Sequence, residues 1–249
     1  MKALVISDLH ANIDALVALV GALDRSGERP DVVLALGDLV DYGPAPEEVV
    51  SWVRQHADRA VRGNHDHAMV TREDCRSSPA YKRLSVATRE YFRPRLTQET
   101  LAYLGSLPET AALGWAGRKI TIVHATPRDP LFEYLSGDAS EARWRDALEG
   151  VAGEADLVLV GHTHLPFVRQ VGSVTVVNPG SLGQPKDGDP RGCYAVLDDG
   201  QVALRRIAYD VDRAVARLMR LKLGQEEKAA LARILRSGGR AGAASPDAS

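Results

Sequence analysis

The sequence predicts an α/β fold built on a mixed β-sheet system. Short runs that are apolar at every position alternate with stretches that are apolar at helical spacing, and the connections between them are short. That alternation is the mark of βαβ units and a parallel sheet, whose strands are covered on both faces. Toward the end of the chain the style changes to short strands separated by Gly, Pro and Asp, which adds antiparallel strands.

Taken in order, Ala3 to Ile6 reads as a buried strand. A helix follows with Ile13, Leu16, Val17 and Val20 at i, i+3, i+4 and i+7; Asn12 can cap its start and Gly27 lies just past its end. Val32 to Leu36 is a second strand. Pro46-Glu47-Glu48 opens a second helix, with Pro near the first position, acids in the first turn and Val49, Val50 and Val53 facing inward. Ala60-Val61 is a short apolar step. Pro79 to Leu107 is helical in pattern, through Leu84, Thr88, Tyr91, Leu101 and Leu104. Strands are expected at Lys119 to Val123 and Leu157 to Val160, with a helix between them carrying Trp144, Ala147, Leu148 and Val151. Ser173 to Val177, Cys193 to Leu197 and Val202 to Ile207 are the late strands, and Asp199-Gly200 is a hairpin signal. A last amphipathic helix carries Val211, Ala214, Val215 and Leu218 and is expected to run on past Gly224 to Leu235. Residues 1–236 read as a single domain, and 237–249 as a disordered small-residue tail.

Composition narrows the function classes. The 249 residues suffice to bury a large core, and 45% hydrophobic with 26% charged residues is ordinary for a globular protein. A net charge of −2 leaves no electrostatic footprint for non-specific nucleic-acid binding, so no stable nucleic-acid partner is expected. Two distant cysteines, Cys75 and Cys193, build neither a disulfide framework nor a zinc knuckle; both read as inert reduced thiols with no nearby base. The N-terminus lacks a signal-peptide layout, and the apolar stretch Ala15 to Leu23 is about half of the ~20 residues a membrane span needs. A cytoplasmic protein without membrane contact is expected.

The chemistry sits at the strand ends. Asp8 and His10 follow the first strand; were the chain extended there, positions i and i+2 would face one ion together. Gly37-Asp38-Leu39-Val40-Asp41-Tyr42-Gly43 follows the second strand, and Gly63-Asn64-His65-Asp66 follows the short step. His124 ends a third strand, and Gly161-His162-Thr163-His164 a fourth. In α/β sheets the loops at the carboxyl ends of strands converge where ligands bind. Each piece alone has an ordinary explanation as a cap, a turn or a loop salt bridge. Five in succession, all at strand ends, point to a metal centre, because converging buried charge needs compensation. Carboxylate, carboxamide and imidazole donors suit Mn, Fe or Zn, with Mn favoured, better than an all-oxygen Mg or Ca site. Seven ligands are too many for one ion and suit two, ~3.5–4 Å apart, sharing a carboxylate.

Asp8-x-His10, Gly37-Asp38-x-x-Asp41-x-Gly43, Gly63-Asn64-His65-Asp66, His124 and Gly161-His162-x-His164 together resemble the calcineurin-like metallophosphoesterase superfamily, in its small prokaryotic phosphodiesterase-type branch. Asn178-Pro179-Gly180-Ser181 and the stretch from Val123 to Asp129 fit the same resemblance. It implies a four-layer α/β/β/α sandwich with two mixed sheets and the metals at the strand C-terminal ends. It also implies that Asp8, His10, Asp38 and His164 hold one ion and Asp38, Asn64, His124 and His162 the other. His65 would protonate the leaving group and Asp41 would orient it. The expected reaction is hydrolysis of a phosphate ester, small molecule or nucleotide, by a hydroxide bridging the two ions. Tyr42 and Asp66 stand where the Ser/Thr phosphatase branch carries Arg and Glu, which tilts the expectation to phosphodiesters. Ala125 stands where related sequences often have Gly. The alternatives are a phosphomonoesterase or protein phosphatase, a dinucleoside polyphosphate hydrolase and, more distantly, a non-catalytic metal-binding scaffold. His56 and His67 are expected to stay outside the site, Arg128 to form a salt bridge with Asp129 or Asp138, and Asn178 and Ser181 to fix a turn behind His162 and His164.

Overall fold

The computed structural model describes residues 1–151 and 153–239. In chain order the elements are β1 (Lys2–Ile6), α1 (Ile13–Ser26), β2 (Val32–Ala35), α2 (Pro46–His56), β3 (Arg59–Ala60), α3 (Asn64–Thr71), α4 (Pro79–Phe92), a 3₁₀ turn (Arg93–Arg95), α5 (Gln98–Ser106), β4 (Thr110–Trp115), β5 (Arg118–Val123), α6 (Glu141–Ala147), β6 (Leu157–Leu159), β7 (Phe167–Val171), β8 (Val174–Asn178), β9 (Gly192–Asp198), β10 (Gln201–Ile207), α7 (Val211–Met219) and α8 (Gln225–Ser237).

Two five-stranded sheets result, in the orders β10-β9-β1-β2-β3 and β4-β5-β6-β8-β7. Both are mixed. β1-β2-β3 and β5-β6-β8 run parallel, whereas β9, β10, β4 and β7 pair antiparallel to their neighbours. Strand alternation builds the layers. In β1, Ala3 and Val5 face the second sheet, where they meet Ile120, Ile122, Leu157 and Leu159. Leu4 and Ile6 point the other way, into a core with Leu16 and Leu19 of α1 and Val49 and Val53 of α2. On the far side, Val158, Val160, Val174 and Val176 pack against Trp144 and Ala147 of α6. This is the α/β/β/α sandwich the resemblance implied, and the all-apolar runs of β1 and β6 are explained by burial on both faces.

Asn12 caps α1 through Ala15 N–H at 3.2 Å, and Gly27 ends the helix in the left-handed conformation. Asp199 and Gly200 turn the β9–β10 hairpin with φ of 44° and 86°, the double positive φ of a type I′ turn. Four elements differ from expectation. β4 and β7 have no counterpart in the sequence pattern; both are edge strands with at least every second residue partly exposed, so they lack the apolar run of a central strand. α3 stands where the sequence reads as a turn, because NHDHAMVT carries no apolar stripe. The last helix is two helices, since Gly224 starts α8 in an extended conformation. Leu218 of α7 packs with Leu231 and Leu235 of α8, and the pair closes over Tyr42 and Leu84. Ser237, where a disordered tail is expected to begin, ends α8, and residues 240–249 of that expected tail lie outside the described residues. Among the described residues, no helix is long and apolar enough to cross a membrane.

Candidate metal centre

The parallel strands of both sheets point their carboxyl ends at one place. Asp8 and His10 follow β1, Asp38 and Asp41 follow β2, and Asn64 and His65 open α3 just beyond β3. His124 follows β5, and His162 and His164 follow β6. All nine are buried. Two links across the sheets hold the loops together, His162 N–H to Asp8 Oδ2 (3.2 Å) and Leu182 N–H to the Ser7 carbonyl (3.0 Å), and Gly161 N–H joins the His124 carbonyl (2.7 Å) within the second sheet.

The loops are not extended, in contrast to the i, i+2 expectation. Asp8, His10, Asp38, Asp41, His162 and His164 all have φ between 43° and 66°. Asp and His tolerate this region better than most residues, but each left-handed residue costs roughly 1–3 kcal/mol. Such clustered strain marks a functional site whose geometry is over-determined by its surroundings.

Backbone carbonyls set the imidazoles. His10 Nδ1 meets the Val40 carbonyl (2.9 Å), His124 Nδ1 that of Leu36 (2.7 Å) and His164 Nδ1 that of Gln184 (2.5 Å). Donation there leaves Nε2 of each ring with a bare lone pair, the form that ligates metals. Those lone pairs converge. His10 Nε2 lies 3.2 Å from His164 Nε2, and His164 Nε2 lies 3.3 Å from Asp8 Oδ1. His124 Nε2 lies 3.3 Å from Asp38 Oδ2, 3.0 Å from Asn64 Oδ1 and 3.2 Å from His162 Nδ1. Asn64 donates its amide N–H to the Cys75 carbonyl (2.6 Å), which turns Oδ1 inward. Acceptor facing acceptor, buried, with Asp8 Oδ1 and His162 Nε2 accepting no hydrogen bond among the described residues, is an arrangement that a cation resolves. Among the described residues, two groups of side chains could each hold an ion: Asp8, His10, Asp38 and His164, and Asp38, His124 and His162. Asp38 belongs to both.

The electrostatics agree. Burial lowers His10 to about 3 and holds His162 and His164 well below the ordinary imidazole value, so their lone pairs are free at neutral pH. Burial also lifts Asp8 to about 6. His124 is the exception: burial pulls it down, but Asp38 beside it outweighs that and raises it to about 9, so a cation binding there must displace its Nε2 proton. Asp38 itself, despite burial, is held well below the carboxylate range by His124 and His65.

His65 stands beside this cluster. Its Nδ1 bonds Asp41 Oδ2 (2.8 Å), its Nε2 lies 4.0 Å from Asp38 Oδ2 and 3.4 Å from the Tyr42 hydroxyl, and its backbone N–H donates to Asp38 Oδ1 (2.9 Å). Arg89 of α4, nearly buried, donates to the same Asp41 Oδ2. Sequence reasoning misses Arg89, because no local motif ties it to a loop 48 residues earlier. It also misses Tyr134, whose ring lies 3.7 Å from that of His162. Tyr42 packs edge-on against His10 (4.8 Å) and tilted against His65 (5.0 Å), so it walls the site. Cys75, expected to have no nearby base, lies against His65; burial raises its thiol, but His65 and the Ser77 and Ser85 hydroxyls outweigh that and lower it to about 5. Arg128 pairs with Glu133 rather than with Asp129 or Asp138. His67 meets Glu73 (3.1 Å) and His56 stacks on Trp52 (4.7 Å), both outside the cluster. Asn178 donates to the Gly161 carbonyl (2.6 Å) and Ser181 to the Asp8 carbonyl (2.7 Å), fixing the loops from behind.

Asp66 and Gly63 explain how α3 presents its first turn. Asp66 accepts from Leu39 N–H (2.8 Å) and Gly63 N–H (3.0 Å), which ties the helix start to the β2 loop. Gly63 is required by space: a Cβ there would lie 2.1 Å from Asp38 Oδ1. Gly63→Ala is therefore expected to displace the shared carboxylate and weaken metal binding by about 10–100-fold. A metal titration of the purified variant checks this, and wild-type affinity would show that Asp38 can move aside at no cost.

A sequence profile of the calcineurin-like phosphoesterase superfamily domain matches residues 1–200. An uncharacterized protein of Methanocaldococcus jannaschii is 30% identical over 237 residues, covering 88% of this chain and 92% of its own. The phosphodiesterase YfcE of Escherichia coli is 24% identical over 209 residues, covering 80% of this chain and 88% of its own. The crystal structure of a metallophosphoesterase from Sphaerobacter thermophilus superposes with a TM-score of 0.76 at 32% identity, over 96% of this chain and 99% of that one. With Asp and His side chains that could hold metal gathered at the strand ends of a doubled α/β sheet, and a profile match over four-fifths of its length, the chain belongs to the calcineurin-like phosphoesterase superfamily.

Proposed function

We propose that the protein hydrolyses small phosphate esters, phosphodiesters in particular, with two divalent cations that share Asp38. The observation that carries this reading is the placement of Asp38 Oδ2, 3.7 Å from His10 Nε2 on one side and 3.3 Å from His124 Nε2 on the other. In this reading Asp8, His10, Asp38 and His164 hold the first ion, and Asp38, Asn64, His124 and His162 the second. The mixed oxygen and nitrogen donors favour manganese, iron or zinc, and manganese is the first to try. When bound, such a pair supplies hydroxide near neutral pH and neutralises phosphate oxygens.

The chain's own residues do the rest. Against the pull of burial, Asp38 and Asp41 favour the imidazolium form of His65, which donates Nδ1–H to Asp41 and carries a second proton on Nε2, facing the cluster, to protonate the departing oxygen. Arg89 holds the Asp41 side chain in place. Tyr42 is wedged between His10 and His65 and brings no cation to the site, which suits a singly charged diester better than a doubly charged monoester. The phosphodiesterase name of the E. coli relative supports the same preference. Residues 1–236 act as one domain, since Tyr42 and Leu84 pack in one cluster with α7 and α8. Cys75 and Cys193, free and buried, are in keeping with a cytoplasmic location.

The test is a metal-reconstituted screen of phosphomonoesters, phosphodiesters and dinucleoside polyphosphates side by side, with Mn²⁺, Fe²⁺ or Zn²⁺. Diesters such as bis(p-nitrophenyl) phosphate are expected to turn over fastest. Bound metal with no turnover of any ester would favour a scaffold instead. Chelation gives an independent check. At a free metal concentration a thousandfold above Kd, binding contributes about 4 kcal/mol to stability. A chain of this size shifts by about 2–4 °C per kcal/mol, so EDTA is expected to lower Tm by roughly 10 °C. A Tm unmoved by chelation, with metal shown to be removed, would mean that the metal had been bound elsewhere and not by these strained loops.

A further inference from the structure

Lys186, near the metal centre, is a cation without a carboxylate partner among the described residues. It lies in the segment after β8 and is half-buried. Its acidic neighbours are engaged elsewhere: Asp187 pairs with Arg206, and Asp189 with Arg191. The ammonium sits instead over the face of Tyr81, whose ring centre lies 4.6 Å from Nζ. A cation–π contact of that kind is worth only about 0.5–2 kcal/mol and leaves the ammonium's hydrogen-bond donors unused.

The position of Lys186 is fixed from both sides. The segment before it is tied to the β1 loop: Leu182 N–H donates to the Ser7 carbonyl, Gly183 N–H to the Asp8 carbonyl, each at 3.0 Å, and Gln184 N–H to Ser181 Oγ at 2.7 Å. The Gln184 carbonyl holds the His164 imidazole. On the other side, Tyr81 packs edge-on against Tyr42, with ring centres 6.1 Å apart, and Tyr42 packs against His10 and His65. The ammonium is thus at the wall of the centre, linked through Tyr81 and Tyr42 to His10 and His65. Burial lowers it only to about 8, so it stays charged at neutral pH. An ammonium held beside residues that bind divalent cations is repelled by those cations unless an anion stands between them.

We propose that Lys186 is a substrate-binding residue whose ammonium donates to a non-bridging oxygen of the substrate's phosphate group, along the wall formed by Tyr42 and Tyr81. The inference rests on the phosphoesterase reading above. It assigns the grip on the anion to a residue outside every motif of the metal-binding loops.

The experiment measures inorganic phosphate binding by calorimetry to the metal-loaded full chain, as wild type, Lys186→Met and Lys186→Arg, with metal content determined for each. Lys186→Met is expected to keep its metal and to bind phosphate ~10–100-fold more weakly, the worth of one hydrogen bond between charged groups. KM for bis(p-nitrophenyl) phosphate should rise by a similar factor. Lys186→Arg should recover most of the affinity, because it restores the charge. Wild-type phosphate affinity in metal-loaded Lys186→Met overturns the proposal while leaving the phosphoesterase reading intact. Loss of metal from both variants also overturns it, since Lys186 would then support the loops and not the anion. A metal-loaded wild type that neither binds phosphate nor hydrolyses any ester sinks the underlying reading and this proposal with it.

Discussion

Asp38→Asn is expected to abolish phosphoester turnover and to lower bound metal from two ions per chain toward one or none. The two carboxylate oxygens of Asp38 have separate tasks. Oδ1 accepts the His65 backbone N–H at 2.9 Å, and Oδ2 faces His10 and His124. An asparagine can keep the first contact through its carbonyl oxygen, so the start of α3 should hold. Its amide nitrogen brings hydrogens and no lone pair to the place of Oδ2, where two lone-pair nitrogens already converge. Removing one electrostatic stabiliser from an active site typically costs ~10²–10³ in rate, and loss of the shared ligand should cost at least that. Elemental analysis and turnover of bis(p-nitrophenyl) phosphate with Mn²⁺ check both parts. Full Mn²⁺-dependent activity in Asp38→Asn would mean that the carboxylate is not shared.

His65→Ala separates proton transfer from metal binding. The metals are expected to stay, because His65 contributes no atom to either ligand group. The fold should stay as well, since Asp41 keeps Arg89 as its partner. Turnover should fall by ~10²–10⁴-fold for esters whose leaving alcohol needs a proton. For p-nitrophenyl esters, whose leaving group departs unaided, the loss should be much smaller. A series of aryl and alkyl diesters of graded leaving-group pKa reads this directly. An equal loss across the series would assign His65 to positioning and remove it from the proton-transfer step.

The seven candidate ligand positions are legible in the amino-acid sequence. Each sits where an apolar run gives way to Gly, Asp, Asn or His, and such a boundary is local information. The cause of their convergence is not legible there: Asp8 and His10 converge through left-handed backbone and not through an extended i, i+2 arrangement. The edge strands β4 and β7 are invisible in the sequence because one-sided burial leaves no unbroken apolar run. α3 is invisible because its buried first turn is made of Asn64, His65 and Asp66, residues that read as a turn, and only Ala68 and Met69 follow as buried apolar positions. Arg89 and Lys186 escape for another reason: nothing near them in the chain announces what they face.

The α/β class, the order of the strands that carry the candidate ligands, and the residue types they offer follow from local patterning of the chain. Strand patterning, caps and turn residues act over a few positions, and these features depend on nothing longer. Tertiary structure alone decided which atoms of those residues are available. The lone pair of His124 is turned toward Asp38 by a carbonyl 88 residues earlier in the other sheet. His10 and His164 meet across 154 residues. The charge left over at Lys186 follows from its neighbours' ion pairs with β10 and the adjacent loop. Imidazole tautomers and unpaired charges are properties of contacts between distant segments, so they exist only once the two sheets have packed.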